Sequence, residues 1–231
     1  ILDVTIANVA LDHMRGTLSA GVDEITWVLT SFLVANAISL PITGWLTDLL
    51  GRKRLFMLAM VAFTLTSAAA GAAPSLAFIV IARFLQGLAG GPLVPLSQAT
   101  MMEIFPPRQR GMAMAIWGVG IMFAPIIGPT LGGWITDNWS WRWVFYINVP
   151  VGAVAVLLAW LFISEPATER PAVRRVDVAG LVLLVLGIGA LQFVLDRGQR
   201  EDWFASSLIV WLSVVAAAAL IALVVRELRT A

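Results

Sequence analysis

The sequence predicts an all-α, polytopic membrane protein, and three observations carry that reading. Of 231 residues, 60% are hydrophobic and only 13% are charged, against the roughly 25% charged of soluble domains. Mean hydropathy is +0.90. The charges that exist are spaced by long uncharged runs, most close to the roughly 20 residues that cross a bilayer as a helix. Fourteen acidic and fifteen basic residues are too few to cover the surface of soluble domains of this length.

Taken in order, the runs predict spans at 1–14, 25–45, 55–72, 76–101, 111–135, 143–163, 177–195 and 204–225. The first begins at Ile1 inside an apolar stretch, without a methionine or a basic leader, so the sequence reads as a piece of a longer chain with its first span truncated. The third and fourth spans share one uncharged block interrupted only by Arg83; Gly71-Ala72-Ala73-Pro74-Ser75 supplies the stop between them. The organisation expected is a six-span bundle over 1–163, a Pro- and Arg-rich linker over 164–176, and two additional spans over 177–231.

Alternating the spans places Arg52, Lys53, Arg54, Arg108, Arg110, Arg170, Arg174, Arg175, Arg226 and Arg229 on one side, and Arg15, Arg142, Arg197 and Arg200 on the other. By the positive-inside rule the first side is cytoplasmic, and Ala231 ends there. Trp134, Trp139, Trp141, Trp143 and Trp203 then gather at the outer interface, where an indole buries its ring and hydrates its N–H.

Composition also narrows function. No cysteine and a single histidine, His13, exclude thiol chemistry and a histidine-paired zinc site. A net charge of +1 offers no basic face for nucleic acid. The lone histidine, placed at an interface, gives an intramembrane hydrolase neither a buried base nor a metal, and no catalytic residues are expected.

A short repeat adds architecture. Gly44-Trp45-Leu46-Thr47-Asp48 recurs as Gly133-Trp134-Ile135-Thr136-Asp137, each after a proline, Pro41 or Pro129. The copies are three spans apart and point in opposite directions across the membrane, as a 3+3 inverted repeat requires.

Two charges lie deep. At about 1.5 Å per residue, Asp3 sits roughly 13 Å below the outer end of the first span, and Arg83 roughly 12 Å below the outer start of the fourth. Either facing lipid costs about 2.5–3.5 kcal/mol, so both must face protein or water. One reading is a carboxylate whose proton occupancy follows the distance to its cation; the other is a permanent ion pair. Gln86, one turn beyond Arg83, faces the same space or bonds across helices. Asp48 meets the negative end of its helix dipole and needs compensation from Arg52, Arg110 or a neighbouring helix N-terminus. The loop Gly51-Arg52-Lys53-Arg54 either sets topology or closes a latch. Gly120, Ala124, Gly128 and Gly132 form one small-residue stripe on a span interrupted by Pro125 and Pro129 and extended by Gly133.

Together these residues resemble the fourteen-helix drug:proton antiporters of the major facilitator superfamily. The first-span motif is similar to Leu2 through Leu11, the loop motif G-x-L-x-D-R-x-G-R-K to Gly44 through Lys53, the fourth-span motif to Arg83-Phe84-Leu85-Gln86-Gly87, and the antiporter motif to Ala124-Pro125, Gly128-Pro129 and Gly132-Gly133. Leu49 departs from the arginine common at its place. The resemblance extends over Thr26 to Trp45, Trp139 to Gly152 and Val194 to Phe204. It implies the family's N-terminal six-helix bundle plus two extra helices, with the C-terminal six-helix half absent. It implies proton-driven export of hydrophobic, chemically varied compounds from a bacterial inner membrane, no cofactor beyond the proton gradient, proton coupling at Asp3 and Arg83, a cavity at Gln86 and a cytoplasmic gate at Gly44, Asp48, Gly51, Arg52 and Lys53. A membrane-fusion adaptor and an outer-membrane channel are the implied partners. A dedicated exporter of one metabolite, lipid or siderophore and a non-transporting receptor or scaffold are the alternatives.

Overall fold

A computed structural model describes residues 2–163 and 177–230. The expected 164–176 linker lies outside the described residues. Twelve α-helices occur among those described: α1 (Leu2–Val9), α2 (Leu11–Leu18), α3 (Val22–Ile25), α4 (Trp27–Leu50), α5 (Arg52–Gly71), α6 (Leu76–Gly90), α7 (Leu93–Ile104), α8 (Arg110–Asn138), α9 (Trp143–Tyr146), α10 (Asn148–Phe162), α11 (Val178–Arg197) and α12 (Ser207–Thr230).

Among the described residues, seven stretches are long and apolar enough to span a membrane: Val22–Leu50, Arg52–Gly71, Leu76–Ile104, Arg110–Asn138, Trp143–Phe162, Val178–Arg197 and Ser207–Arg229. They correspond to the second through eighth expected spans. The first expected span is α1 and α2, two helices of eight residues each. Helical hydrogen bonds continue through their junction, Ala10 N–H to Ile6 O at 3.3 Å and Met14 N–H to Ala10 O at 3.0 Å.

Three boundaries differ from the sequence reading, each for a local reason. The fourth span is split into α6 and α7 at Gly91-Pro92, where Gly91 comes so close to α4 that an added Cβ would lie 2.8 Å from Ser39 Cβ. The second span runs to Leu50 because Gly51, at φ 82° and ψ 149°, adopts a positive-φ conformation open mainly to glycine that ends the helix and turns the chain at once into α5. The sixth span is divided between α9 and α10, since Pro150 has no N–H for the carbonyl one turn earlier.

In lipid, apolar side chains gain nothing by leaving the solvent, so helices associate through close packing and polar contacts. The small residues show where. α4 packs on α6, α5 on α6 and α10, α1 on α8, and α11 on both α12 and α4. At the α4/α6 crossing, a Cβ on Gly87 would meet Ala35 Cβ at 2.9 Å and the carbonyl carbon of Phe32 at 3.1 Å. Ile6, Ala7, Ala10, Val28, Ala70, Ile79, Ala82, Ile135, Val144 and Phe145 form the buried centre.

The end of the bundle where α5 stops is fastened by Arg142, whose Nη1 donates to Gly71 O at 2.7 Å and Ala73 O at 2.8 Å, satisfying carbonyls left free there. Trp134, Trp139 and Trp143 form an exposed aromatic row, with ring centroids 6.0 and 5.2 Å apart. Trp141 departs from the expected interfacial role: it is buried, and its Nε1 donates to Thr17 Oγ1 at 3.2 Å.

The two additional spans pack as a hairpin. Asp177 caps α11 by accepting from Gly180 N–H at 2.9 Å and binds Arg226 of α12 through both oxygens, the shortest contacts being 2.8 Å. Those donors hold its carboxyl down at about 2, the Arg226 hydrogen bond contributing most. The hairpin docks on α4 where Thr30 Oγ1 donates to Asp196 Oδ2 and the Arg197 guanidinium lies 4.3 Å above the Trp27 ring.

Candidate functional site

Asp3 and Arg83 meet. α1 and α6 place them so that Arg83 Nη1 donates to Asp3 Oδ2 at 2.5 Å, with Asp3 7% and Arg83 0% exposed. Gln86, one turn along α6, completes a triangle: its Oε1 accepts from Arg83 Nη1 at 2.8 Å and its Nε2 donates to Asp3 Oδ1 at 3.3 Å. Because Oε1 is committed to a cation, the amide can present only hydrogens to the carboxylate. Arg83 is further held by Nε donating to Val28 O at 3.2 Å and by the Phe32 ring, 4.2 Å from its guanidinium carbon. Removing one partner of a buried pair typically costs about 3–5 kcal/mol, because the other charge remains without compensation.

Two further residues belong to this network and were absent from the sequence reading. Asn148 Nδ2 donates to Asp3 Oδ1 at 2.8 Å and to Ser67 Oγ at 3.0 Å, while Ser67 Oγ donates to Phe145 O at 2.9 Å. A search for charges passes over both. The available signal was an asparagine followed two residues later by proline inside an otherwise apolar run, the place where a helix loosens and an amide finds work.

The shell around Asp3 is made of donors. Asp3 accepts from Arg83, Gln86 and Asn148, so every contacting group presents hydrogens. That complements an ionised carboxylate. A protonated carboxyl brings a hydrogen of its own toward donors, and the shell has to rearrange before that hydrogen finds an acceptor.

The loop motif is arranged differently from expectation. Arg52 pairs with Glu103 at the end of α7, Arg110 Nε donates to Phe105 O at 3.2 Å, and Lys53 Nζ donates to Trp160 O at 3.2 Å. Neither arginine expected beside Asp48 contacts it. Among the described residues Asp48 makes no hydrogen bond or ion pair, and it is exposed along with Gly44, one turn earlier on α4. Glu103 lies far from the motif in sequence, and it is the carboxylate with which Arg52 pairs.

The small-residue stripe of α8 splits into two parts. A Cβ on Gly132 would lie 3.0 Å from Ile6 O, and one on Gly128 would enter the space of the Thr5 hydroxyl, so these two form the seam with α1. Gly133, beside them, faces Val9 at ordinary contact distance. Gly120 and Ala124 instead border a cavity of about 600 Å³, lined also by Leu2, Trp117 and Asn148. Pro125 and Pro129 fall within α8 without ending it.

Comparison with known proteins identifies the family. The family model described as Major Facilitator Superfamily matches residues 1–228. Multidrug export protein EmrB of Haemophilus influenzae is 50% identical over 228 residues, covering 99% of this chain and 44% of its own length. Fatty acid resistance protein FarB of Neisseria gonorrhoeae is 45% identical over 230 residues, covering 99% of this chain and 45% of its length. The chain thus spans less than half the length of these curated relatives. Among solved structures, the proton:xylose symporter XylE has a TM-score of 0.63 at 15% identity, over 87% of this chain and 51% of that one. The human organic anion transporter MFSD10 has a TM-score of 0.57 at 18% identity, over 95% and 67%. With seven membrane-length helices and a family match running almost end to end, this multi-pass membrane protein belongs to the Major Facilitator Superfamily.

Proposed function

We propose that the protein works in proton-driven export of hydrophobic compounds, with Asp3 exchanging the proton and Arg83 as its counter-charge. The observation that carries this reading is the 2.5 Å contact between them, fully enclosed in a lipid-embedded bundle and surrounded by donors. Intramembrane charges are expensive and mark pathways. Proton uptake by Asp3 cancels its attraction to Arg83 and forces the shell to reorganise; loss of the proton restores it. The chain's relatives named as multidrug exporters supply the substrate class.

Substrate is assigned to a cavity bordered by the first, second, fourth and fifth spans, with Gln86 of α6 toward it; the cavity of about 600 Å³ already lies against α1, α7 and α8. Pro125, Gly128, Pro129, Gly132 and Gly133 stiffen and seal the α1/α8 seam beside that cavity. Gly44, Asp48, Gly51, Arg52 and Lys53 form the cytoplasmic gate, with Asp48 free to take a partner in another conformation. The ten-to-four division of basic residues orients the chain with both ends of 1–231 inside. An adaptor and an outer-membrane channel complete the export route.

The test is drug-induced proton release from the full-length transporter in liposomes. Asp3→Asn, which keeps the shape and removes the titrating group, abolishes release and gradient-driven transport; undiminished transport by that variant refutes the assignment. A second reading, export of fatty acids, is favoured by the 45% identity to FarB. Competition between fatty acids and unrelated lipophilic cations distinguishes the two.

A further inference from the structure

We propose that Asn148 is a positioning residue that relays the charge state of Asp3 to the joint between α9 and α10. The inference rests on the proposed role of Asp3 and deepens it.

The relay follows from which atoms hold hydrogens. Ser67 spends its single hydroxyl hydrogen on Phe145 O, so its oxygen can only accept from Asn148. That fixes the Asn148 amide with its NH2 toward both Ser67 and Asp3. When Asp3 takes a proton, its new O–H faces this NH2. The geometry offers one local remedy: the amide turns over, Asn148 Oδ1 accepts from the Asp3 carboxyl, and the Ser67 hydroxyl leaves Phe145 O to donate to the same Oδ1. No bond other than the hydrogen bonds changes, and the proton stays on Asp3. The Phe145 carbonyl is released.

Phe145 lies in α9, two residues before the break at Ile147 that separates it from α10. Its ring also lies 5.5 Å from the Arg83 guanidinium carbon. The freed carbonyl is therefore next to the weakest point of the sixth span, and Ser67 sits in α5, against which α10 packs. Gln86 cannot serve the same purpose, because its Oε1 is held by Arg83 on its own helix. Other elements around Asp3 contribute no second charge: α4 presents Val28 and Phe32, α5 Ser67, and α8 the Ala124 carbonyl, which accepts from Thr5 at 3.4 Å. Among the described residues, Arg83 is the charged group in contact with Asp3.

The experiment uses the full-length transporter in liposomes, measuring the pH midpoint of drug-induced proton release and the infrared difference spectrum between high and low pH. Asn148→Leu removes one donor to the carboxylate, and the midpoint moves up by about one pH unit, roughly tenfold in proton affinity. Asn148→Gln, which keeps the amide, returns most of the shift. Ser67→Ala frees the amide to turn and moves the midpoint in the same direction by less. In the parent protein a side-chain amide carbonyl band shifts together with the appearance of a protonated carboxyl; Asn148→Leu abolishes the amide component and leaves the carboxyl. A folded Asn148→Leu protein with an unchanged midpoint, or an amide band that does not respond to pH in the parent, overturns the relay. If Asp3→Asn still releases protons, the underlying function fails instead.

Discussion

Gly87→Ala tests whether the charge site depends on how closely two helices approach. The methyl group added on α6 would lie 2.9 Å from Ala35 Cβ and 3.1 Å from the Phe32 carbonyl carbon on α4. Carbon atoms in contact settle at about 3.5–4.0 Å, so the helices must separate locally by about 0.6–1 Å. The neighbours are main chain and a Cβ, which cannot swing aside. Val28 and Phe32 move with α4, and the 3.2 Å hydrogen bond from Arg83 Nε to Val28 O stretches to about 4 Å, beyond any useful bond. Overpacking costs about 1–3 kcal/mol, and the lost bond to a charged group about 1.5–3 kcal/mol. The sum, about 2.5–6 kcal/mol, corresponds to a fall in thermal midpoint on the order of 10 °C. Intrinsic tryptophan fluorescence of the purified protein in detergent measures it. Gly118→Ala, where nothing lies within 4 Å of the added methyl, is the control and holds its midpoint. Equal midpoints for the two variants refute the claim that the α4/α6 crossing is limited by Gly87.

Two other contacts lead to separate expectations. Thr30→Val removes the hydroxyl that donates to Asp196 and loosens the docking of α11 on α4 by about 1.5 kcal/mol; hydrogen exchange should quicken across 192–203 while α6 is unchanged, and a uniform change would count against it. Asp177 has its carboxyl lowered from 3.8 to about 2 by Arg226 and by the start of α11. Its folded form is the stronger acid, so its stabilising contribution is complete above pH 3.8 and disappears as pH falls through about 2. Fraying at the start of α11 should therefore grow between pH 4 and 2 by circular dichroism and exchange, and Asp177→Asn should flatten that response.

Much of this was legible from sequence because burying charge in hydrocarbon is so costly. Asp3 and Arg83 stand out as isolated charges in apolar runs, and a helical rise is enough to put them at matching depth. Gln86 follows by adding one turn. Neutral amides and hydroxyls carry no such mark, which is why Asn148 and Ser67 emerged only from coordinates. The partner of Arg52 was illegible for a different reason: Glu103 is remote in sequence, and choosing between it and Asp48 requires knowing how α7 lies beside α5. The division of the fourth span at Gly91-Pro92 was written in two strong breakers, yet an apolar run of the right length on both sides masked it. Trp141 looks like its neighbours in a tryptophan-rich stretch; only packing distinguishes a core indole from an interfacial one.

The pair of charges also sits at a boundary. α1 is joined tightly to α8, where Gly128 and Gly132 bring the two backbones together, and α4 is joined tightly to α6, where Gly87 and Gly91 do the same. Contact between α1 and α4 is sparse by comparison. Asp3 belongs to the first pair and Arg83 to the second, so their bond joins two glycine-packed helix pairs. Glycine seams of this kind resist gradual deformation, because a shift along them soon drives backbone into backbone. Neutralising Asp3 therefore leaves both pairs intact and weakens the border between them. Asp3→Asn should loosen this border while the α1/α8 and α4/α6 seams hold, which hydrogen exchange resolved by helix would read; equal acceleration within the two seams would refute it.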